Sequence, residues 1–539
     1  TGSVLATLLA RQGAKVLMID SGIHPRYSIG ESVPMVAARM LELMSKRFAV
    51  PELENLASFP ALRRHVSSNC GIKKNFGFVY HREGQAPDRL EGNQMVAPPF
   101  ISEYHLFRQD TDQYMFAIAV RYGADFRVRT PISEVRPQED RITLVTRGGE
   151  QLHARYVVDT SGPQSALAAH FKLREQPTRI KYQSRALYTH MVNVKPFDDV
   201  VPPPGAYGNP SPWHEGTLHH LFDGGSVWVI PFDNHPSSTN PLCSVGLSLD
   251  PRRFPKTNMT AEDEFRSIIA RFPGIAAQFK DASQVREWVS TDRRQYSSSR
   301  CVGDRFCLID EAAGFVDDPF SRGLADATEL VNALAVRLPS ALADDDLTAQ
   351  RFNYIEQLQQ RVLNRNDQLM CGIATASRDY ALWNAWFKAC MVGVGLGEVR
   401  MTNLYLKYLE DRDPSVFAEL DTSSEPASFL PGFDRYREFW DQVLATMAAA
   451  EEGGLSSGEA ATRIHGLLQE ADKADFSPPG AHIGDPSVRH FDLNPFYLLK
   501  ALGWAAFAPA RSELMELHRQ TVKRLAKGVL SGKAINAMS

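Results

Sequence analysis

The sequence predicts an α/β protein in which a Rossmann-like nucleotide-binding unit carries an inserted antiparallel sheet and is followed by a mainly helical region. Three observations predict it. Near the start, Val4, Leu5, Leu8 and Leu9 share one helical face, Gly13 stops that helix, and Lys15–Asp20 (KVLMID) reads as a buried strand ending in an acid. Between residues 180 and 250, apolar runs of strand length alternate with Pro/Gly/Asn-rich loops. After about residue 335 the apolar spacing turns helical for the rest of the chain. These shifts assign residues 1–335 to the nucleotide-binding domain, with the inserted sheet at about 180–295, and residues 336–539 to a helical region that shapes or covers the substrate pocket.

Helix, glycine, strand and acid follow the later half of the dinucleotide-binding βαβ order. Gly2 stands where the third glycine of a G-x-G-x-x-G turn lets helix and strand approach closely. On this reading the first strand and most of the turn, about ten residues, would precede Thr1, and the chain reads as a fragment. Asp20 is placed to accept hydrogen bonds from a ribose. Ile29-Gly30-Glu31-Ser32 then leads into a helical run, with Ser32 a possible N-cap. Arg108 precedes a helix ended by Gly123, and residues 125–158 alternate apolar and polar as a small meander with a turn at Gly148-Gly149. Ala154–Gly162 (ARYVVDTSG) is a strand closing on Asp159 and Gly162. Strands are expected at Ala186–Val194, Thr217–Phe222, Ser226–Pro231 and Ser244–Asp250.

Gly303–Leu334 runs from a buried strand through Ala312-Ala313-Gly314 and an acidic loop into a helix opened by Ser321-Arg322-Gly323. Backbone N–H groups at a helix start attract anions. Farther on, Arg351–Leu369 has helical spacing, and Trp383, Trp386 and Phe387 are expected to pack in a helical core or line a pocket. Asp421–Pro431 reads as a linker, 450–490 as loose connections, and Phe491–Leu530 as aromatic-rich helix.

The net charge of −4 over 539 residues offers no general attraction for nucleic acid or a membrane surface. Six widely spaced cysteines without a Cys-x-x-Cys indicate reduced thiols and no metal site. No stretch approaches the ~20 apolar residues that span a bilayer, and a cytoplasmic location is expected.

Several of these segments together resemble the flavin-dependent halogenases, within the FAD-dependent aromatic hydroxylase-like flavoproteins of the para-hydroxybenzoate hydroxylase and glutathione reductase type. Gly30-Glu31-Ser32, Arg108 and the Asp159/Gly162 strand stand in the family's order. Gly225–Pro231 (GSVWVIP) resembles its G-W-x-W-x-I-P strand between flavin and substrate, matching at Gly225, Trp228, Ile230 and Pro231, with Ser226 for the first tryptophan. Asp317–Gly323 (DDPFSRG) resembles its halide loop. In Gly71–His81 (GIKKNFGFVYH), Lys73 lies five residues before an aromatic, as does the family's lysine.

The resemblance implies FAD, used as FADH2, held by Gly2, Asp20, Gly30, Glu31, Ser32, Arg108, Asp159, Gly162, Glu311, Gly314, Pro319, Gly323 and Leu324. It implies a halide, chloride or bromide, at Ser321, Arg322 and Gly323, with O2 as the other co-substrate. A flavin C4a-hydroperoxide would yield hypohalous acid, which the lysine presents to the substrate in a largely apolar pocket. Strand alternation lets only one of Lys73 and Lys74 face that pocket; Lys73 is favoured and Lys74 is the fallback. A separate NAD(P)H-dependent flavin reductase would supply FADH2 to a halogenase of secondary metabolism acting on a small aromatic substrate, free or tethered to a carrier protein. Phe320, where tryptophan halogenases carry a glutamate, steers the expectation to activated phenol, pyrrole or polyketide rings. Glu311 departs from the usual Gly-Asp. Arg322 either strengthens anion binding or pairs with Asp317 or Asp318. An FAD-dependent aromatic hydroxylase is the alternative, and a non-catalytic FAD-binding relative a further one.

Overall fold

Helix α1 (Gly2–Arg11) buries Leu5, Leu8 and Leu9 and delivers the chain to β1 (Leu17–Ile19). The computed structural model describes residues 1–97, 103–201, 206–317, 320–422, 433–473, 476, 482–492, 503–504 and 512–530. Strand β2 (Ser32–Val33), helix α2 (Met35–Phe48), strands β3 (Gly71–Lys73), β4 (Asn75–Tyr80), β5 (Gly92–Val96) and β6 (Glu103–His105) and helix α3 (Arg108–Arg121) follow. Strand β7 (Asp125–Arg127) returns parallel to β1. The expected meander is β8 (Ile132–Pro137), β9 (Ile142–Thr146) and β10 (Gln151–Ala154). Strand β11 (Val157–Asp159) runs parallel to β19 (Phe306–Leu308), which closes on β18 (Val302–Gly303).

The large sheet positions the site. Its strands β12 (Arg185–Val192), β13 (Gly216–Phe222), β14 (Gly225–Pro231) and β15 (Cys243–Leu249) lie within a residue or two of the expected bounds. Along the sheet the order is β12, β15, β14, β13, β4, β5, with β16 (Ser283–Gln284) and β17 (Val289–Ser290) on β12, and β20 (His490–Asp492) beyond β5. The sheet is therefore not confined to residues 180–295: it takes β4 and β5 from before that span and β20 from the C-terminal part.

Alternation sorts its side chains. Leu218, Val227, Val229, Val245 and Leu247 point into a core closed by Phe265, Ile268 and Phe279 from the following helices. On the other face, register aligns Phe78, His219, Trp228, Gly246 and Tyr188 across five strands.

Helices α4 (Arg322–Asp344), α5 (Asn353–Ala376), α6 (Tyr380–Asp411), α7 (Asp434–Glu451), α8 (Ser457–Lys473) and α9 (Glu513–Leu530) build the C-terminal part. Trp386, Phe387 and Trp440 are fully or almost fully buried in its core. Two expectations are corrected. Residues 450–490 are not simply connections, because Ile464 and Leu468 bury an apolar stripe that makes α8 a helix. Phe491 lies in a strand, since β5 offers it a free edge, and not in a helix. The expected linker lies mostly outside the described residues. No helix among the described residues is long and apolar enough to cross a membrane.

Candidate active site

The exposed face of the large sheet forms one wall of a cavity of about 1260 Å³. The facing wall is made by Asp310–Asp317, the start of α4, one side of α5, Trp383 and the end of α7. Gly30, Glu31, Ser32, Glu311, Gly314, Ser321, Gly323 and Leu324 border it, as do Trp228 and Ile230. Sequence segments far apart in the chain thus meet at one end. Trp228 crosses Gly246, where an added Cβ would fall 1.8 Å from the indole Cζ2. Only glycine leaves the ring that place.

At this end the acids and arginines are held by one another. Arg108 donates to the carbonyls of Ile29 (2.7 Å) and Gly30 (3.1 Å) while Asp112 takes its other nitrogens at 2.8 and 3.0 Å. It thereby pins the Gly30 turn, whose positive φ of 90° suits glycine. Glu31 is buried and accepts from His190 Nε2 (3.0 Å) and Ser244 Oγ (3.1 Å). Arg286 donates to His190 Nδ1 at 3.1 Å, so Nε2 carries the proton. Burial, then Asp310, pushes the Glu311 carboxyl up, against the pull of Arg294 and Arg108.

Asp20, Gly2, Asp159 and Gly162 stand outside the cavity wall. Asp20 is turned to the Gly22 N–H (2.8 Å) and Arg26 (2.7 Å). Gly2 lies against Thr160, whose Oγ1 would be 2.7 Å from an added Cβ, the close approach foreseen for that glycine. Asp159 accepts from Ser161 N (2.8 Å), Ser161 Oγ (2.5 Å) and Ser165 Oγ (2.7 Å), and Gly162 follows with φ 76°. Pro319 lies outside the described residues.

Ser321 caps α4 in the left-handed region, φ 59°. Its hydroxyl donates to Ser32 Oγ at 2.8 Å. Ser32 and Thr217 share a hydrogen bond (2.9 Å), Thr217 meets His105 Nε2 (2.9 Å), and His105 Nδ1 meets the Pro231 carbonyl (3.0 Å). A carbonyl only accepts, so Nδ1–H is the donor and the chain runs in one direction from Ser321 to Pro231. Burial holds His105 down to about 3, hence neutral. This series ties the expected halide loop to the end of the partition strand, and His105 and Thr217 have no motif that marks them.

Arg322 is not paired with Asp317, one of the partners weighed for it. Its buried guanidinium turns into the helix packing, donating to Asn366 Oδ1 (3.0 Å) and Asp326 Oδ1 (3.1 Å) one helical turn on. Asp317 instead pairs with Arg294 (2.8 Å), Gln295 Nε2 (2.8 Å) and Ser184. Asp318 lies outside the described residues.

The two lysines separate as alternation requires: the Lys73 side chain is 3% exposed, that of Lys74 50%. Lys74 pairs with Glu215 at 2.9 Å. Lys73 is not in an apolar pocket and does not border the cavity. It pairs with Glu103 at 2.9 Å and donates to the Val33 carbonyl at 3.4 Å, because a buried ammonium demands a counter-charge. Glu103 in turn accepts from Met35 N (2.8 Å) at the start of α2. Glu398, on α6, is buried near both; burial, then Glu103, pushes its carboxyl up, and Lys73 pulls it down. The Lys73 ammonium also lies 5.1 Å from the Phe76 ring centroid. Phe76 meets Phe78 (5.0 Å), His219 (5.2 Å) and Phe320 (6.1 Å), so one aromatic layer stands between the lysine and the cavity. Trp383 closes on Phe78 at 4.9 Å. Glu103, Glu398 and His219 carry no sequence signature; His219 was findable only as a residue two places from Thr217 and Leu221 on one strand face.

Comparison with known proteins gives a consistent picture. The FAD binding domain family matches residues 1–312. Monodechloroaminopyrrolnitrin halogenase PrnC of Pseudomonas fluorescens is 44% identical over 477 residues, 88% of this chain and 84% of the relative. Tetracycline 7-halogenase of Kitasatospora aureofaciens is 41% identical over 519 residues, 96% and 93% of the two chains. Among solved structures, halogenase PltM in complex with phloroglucinol and FAD superposes with a TM-score of 0.87 at 32% identity, covering 91% of this chain and 97% of the other.

Proposed function

The chain belongs to the flavin-dependent halogenases, enzymes that use FAD, halide and O2, and we propose that it chlorinates an electron-rich hydroxylated or nitrogen-bearing ring, such as a phenol, a pyrrole or an aromatic polyketide. The observation that carries this reading is the register row on the large sheet. It leads from Trp228, beside the expected flavin end, through His219 to Phe78, next to the aromatic layer that Lys73 covers. Bound FAD, once reduced, supplies the oxygen chemistry. The Gly30 turn, Glu31 and Ser32 hold it, with Arg108 fixing the turn from outside. The halide rests on the backbone N–H groups at the start of α4, where Ser321 is fixed by Ser32. Trp228 and Ile230 keep ring and cofactor apart, and Phe78 and Trp383 receive the ring, with Phe320 packed against Phe78. Hypohalous acid passes to Lys73, which Glu103 holds in one orientation. Phe320 in place of a carboxylate suits rings that need no base.

A separate NAD(P)H-dependent reductase supplies FADH2, and the substrate is free or carried by a tethering protein, as for the related 1H-pyrrole-2-carbonyl-[peptidyl-carrier protein] chlorinase of Pseudomonas fluorescens. The test incubates the protein with FAD, a flavin reductase, NADH, chloride or bromide, and a panel of phenols, pyrroles and indoles. Mass spectrometry showing a halogen isotope pattern on a phenol or pyrrole supports the proposal. Added oxygen without halogen contradicts it.

A further inference from the structure

One polar side chain on the cavity wall has no task in the reading above. His219 lies in the middle of the register row, between Phe78 and Trp228. It is 7% exposed and borders the cavity, and neither ring nitrogen has a hydrogen-bond partner among the described residues; Nδ1 is sealed from water, which leaves Nε2 as the nitrogen open to the cavity. Its ring stacks on Phe78 with centroids 5.0 Å apart and planes at 20°, and meets Phe76 edge-on at 5.2 Å. Those contacts fix the plane of the imidazole, so its nitrogens have set directions. The neighbours on this face cannot do its work: Thr217 is engaged by His105 and Ser32, and Leu221 and Phe78 are apolar. A buried polar group without a partner is the exception that asks for one.

We propose that His219 determines substrate choice by accepting a hydrogen bond from an O–H or N–H carried by the aromatic ring. Resting on the proposed function, this narrows the substrate class to rings that keep a free phenolic, amino or pyrrole hydrogen. Burial, with His220 and Lys73 adding to it, drives the imidazole down to about 3, so it is neutral and offers one acceptor nitrogen at working pH. The bond does two things. It turns the ring's donor substituent towards β13, which fixes the carbon presented to the Phe76 side. It also draws the donated proton away from the substituent's heteroatom, enriching the ring positions that an electrophilic halogen attacks.

The test uses the full chain and compares His219→Phe and His219→Gln with wild type. Each is given the panel member that wild type halogenates fastest and that compound's O- or N-methylated analogue. Wild type is expected to prefer the parent by about ten-fold or more in kcat/KM, the scale of one net hydrogen bond. His219→Phe loses that preference by acting less well on the parent, through KM, with little change on the methylated analogue and no change in halide-dependent hypohalous acid formation. His219→Gln, which keeps an acceptor, restores part of the preference. Equal losses on both compounds, or an unchanged preference in His219→Phe, overturn the proposal. Failure of wild type to halogenate any ring overturns the proposed function instead. In that case His219 is judged by calorimetric titration of phloroglucinol against 1,3,5-trimethoxybenzene, where an equal affinity of wild type for the two refutes it.

Discussion

At the flavin end of the cavity, the bordering groups come from short segments whose residue types the backbone dictates: Gly30–Ser32, Asp310–Gly314 and Ser321–Leu324. At the ring end, Phe78, His219 and Trp383 come from elements distant in the chain and meet only after folding, with Phe320 packed against Phe78. The flavin end is stiffened by hydrogen bonds to carbonyls and between hydroxyls. The ring end is stiffened by aromatic contacts and one buried Lys73–Glu103 pair. The difference teaches where variation is affordable. Turns and helix starts tolerate little change, whereas aromatic walls can be repacked to fit another ring.

Substitutions can break this contrast. The largest effect is expected at Lys73. Lys73→Met should lower the halogenation rate by about 10²–10³-fold, the scale for removing one positioned polar group, whereas Lys74→Met should stay near wild type. Initial rates by chromatography and mass spectrometry check this. Next is Arg322→Met. Removing one partner of the buried pair with Asp326 should cost about 3–5 kcal/mol in denaturant unfolding while halide KM changes little, because the guanidinium is engaged by Asp326 and Asn366 and does not border the cavity. A large rise in halide KM would return Arg322 to the anion site.

Between the two ends, Gly246→Ala should displace the Trp228 indole, cost about 1–3 kcal/mol and raise flavin reoxidation without product. Oxygen uptake against product measures the last. The smallest effect is in pH. Burial holds folded His105 and His219 at about 3 and His220 at about 4, against 6.5 unfolded. The unfolded chain therefore binds more protons in this window, so their stability is full above about 6.5 and lost as pH falls towards 3–4. Glu398 acts oppositely: its raised value gives stability below the ordinary 4.5 that is lost as pH rises through the folded value. Thermal unfolding against pH should show both slopes, and Glu398→Gln should flatten only the alkaline one.

The fold was largely legible, for physical reasons. The strands of the large sheet show the alternation that one buried face imposes. Gly2, Gly30 and Gly162 were readable because each answers to a close approach or a positive φ. Strand β20 was not legible, because three residues added to an edge carry no periodicity of their own. The Asp326 and Asn366 partners of Arg322 were not foreseen, because Asn366 lies on another helix. Lys73 was singled out by position, but its neighbours Glu103 and Glu398 were not, since a buried counter-ion is chosen by space and not by spacing.

The central claim is that the lysine behind Phe76 hands the halogen to the ring. The most direct measurement partitions turnover in Lys73→Met and wild type between halogenated ring and hypohalous acid captured by a soluble trap, with FADH2, O2 and chloride supplied equally. The account predicts that the variant forms trapped hypohalous acid at the wild-type rate and almost no halogenated ring. Halogenated ring at the wild-type rate in Lys73→Met would contradict it.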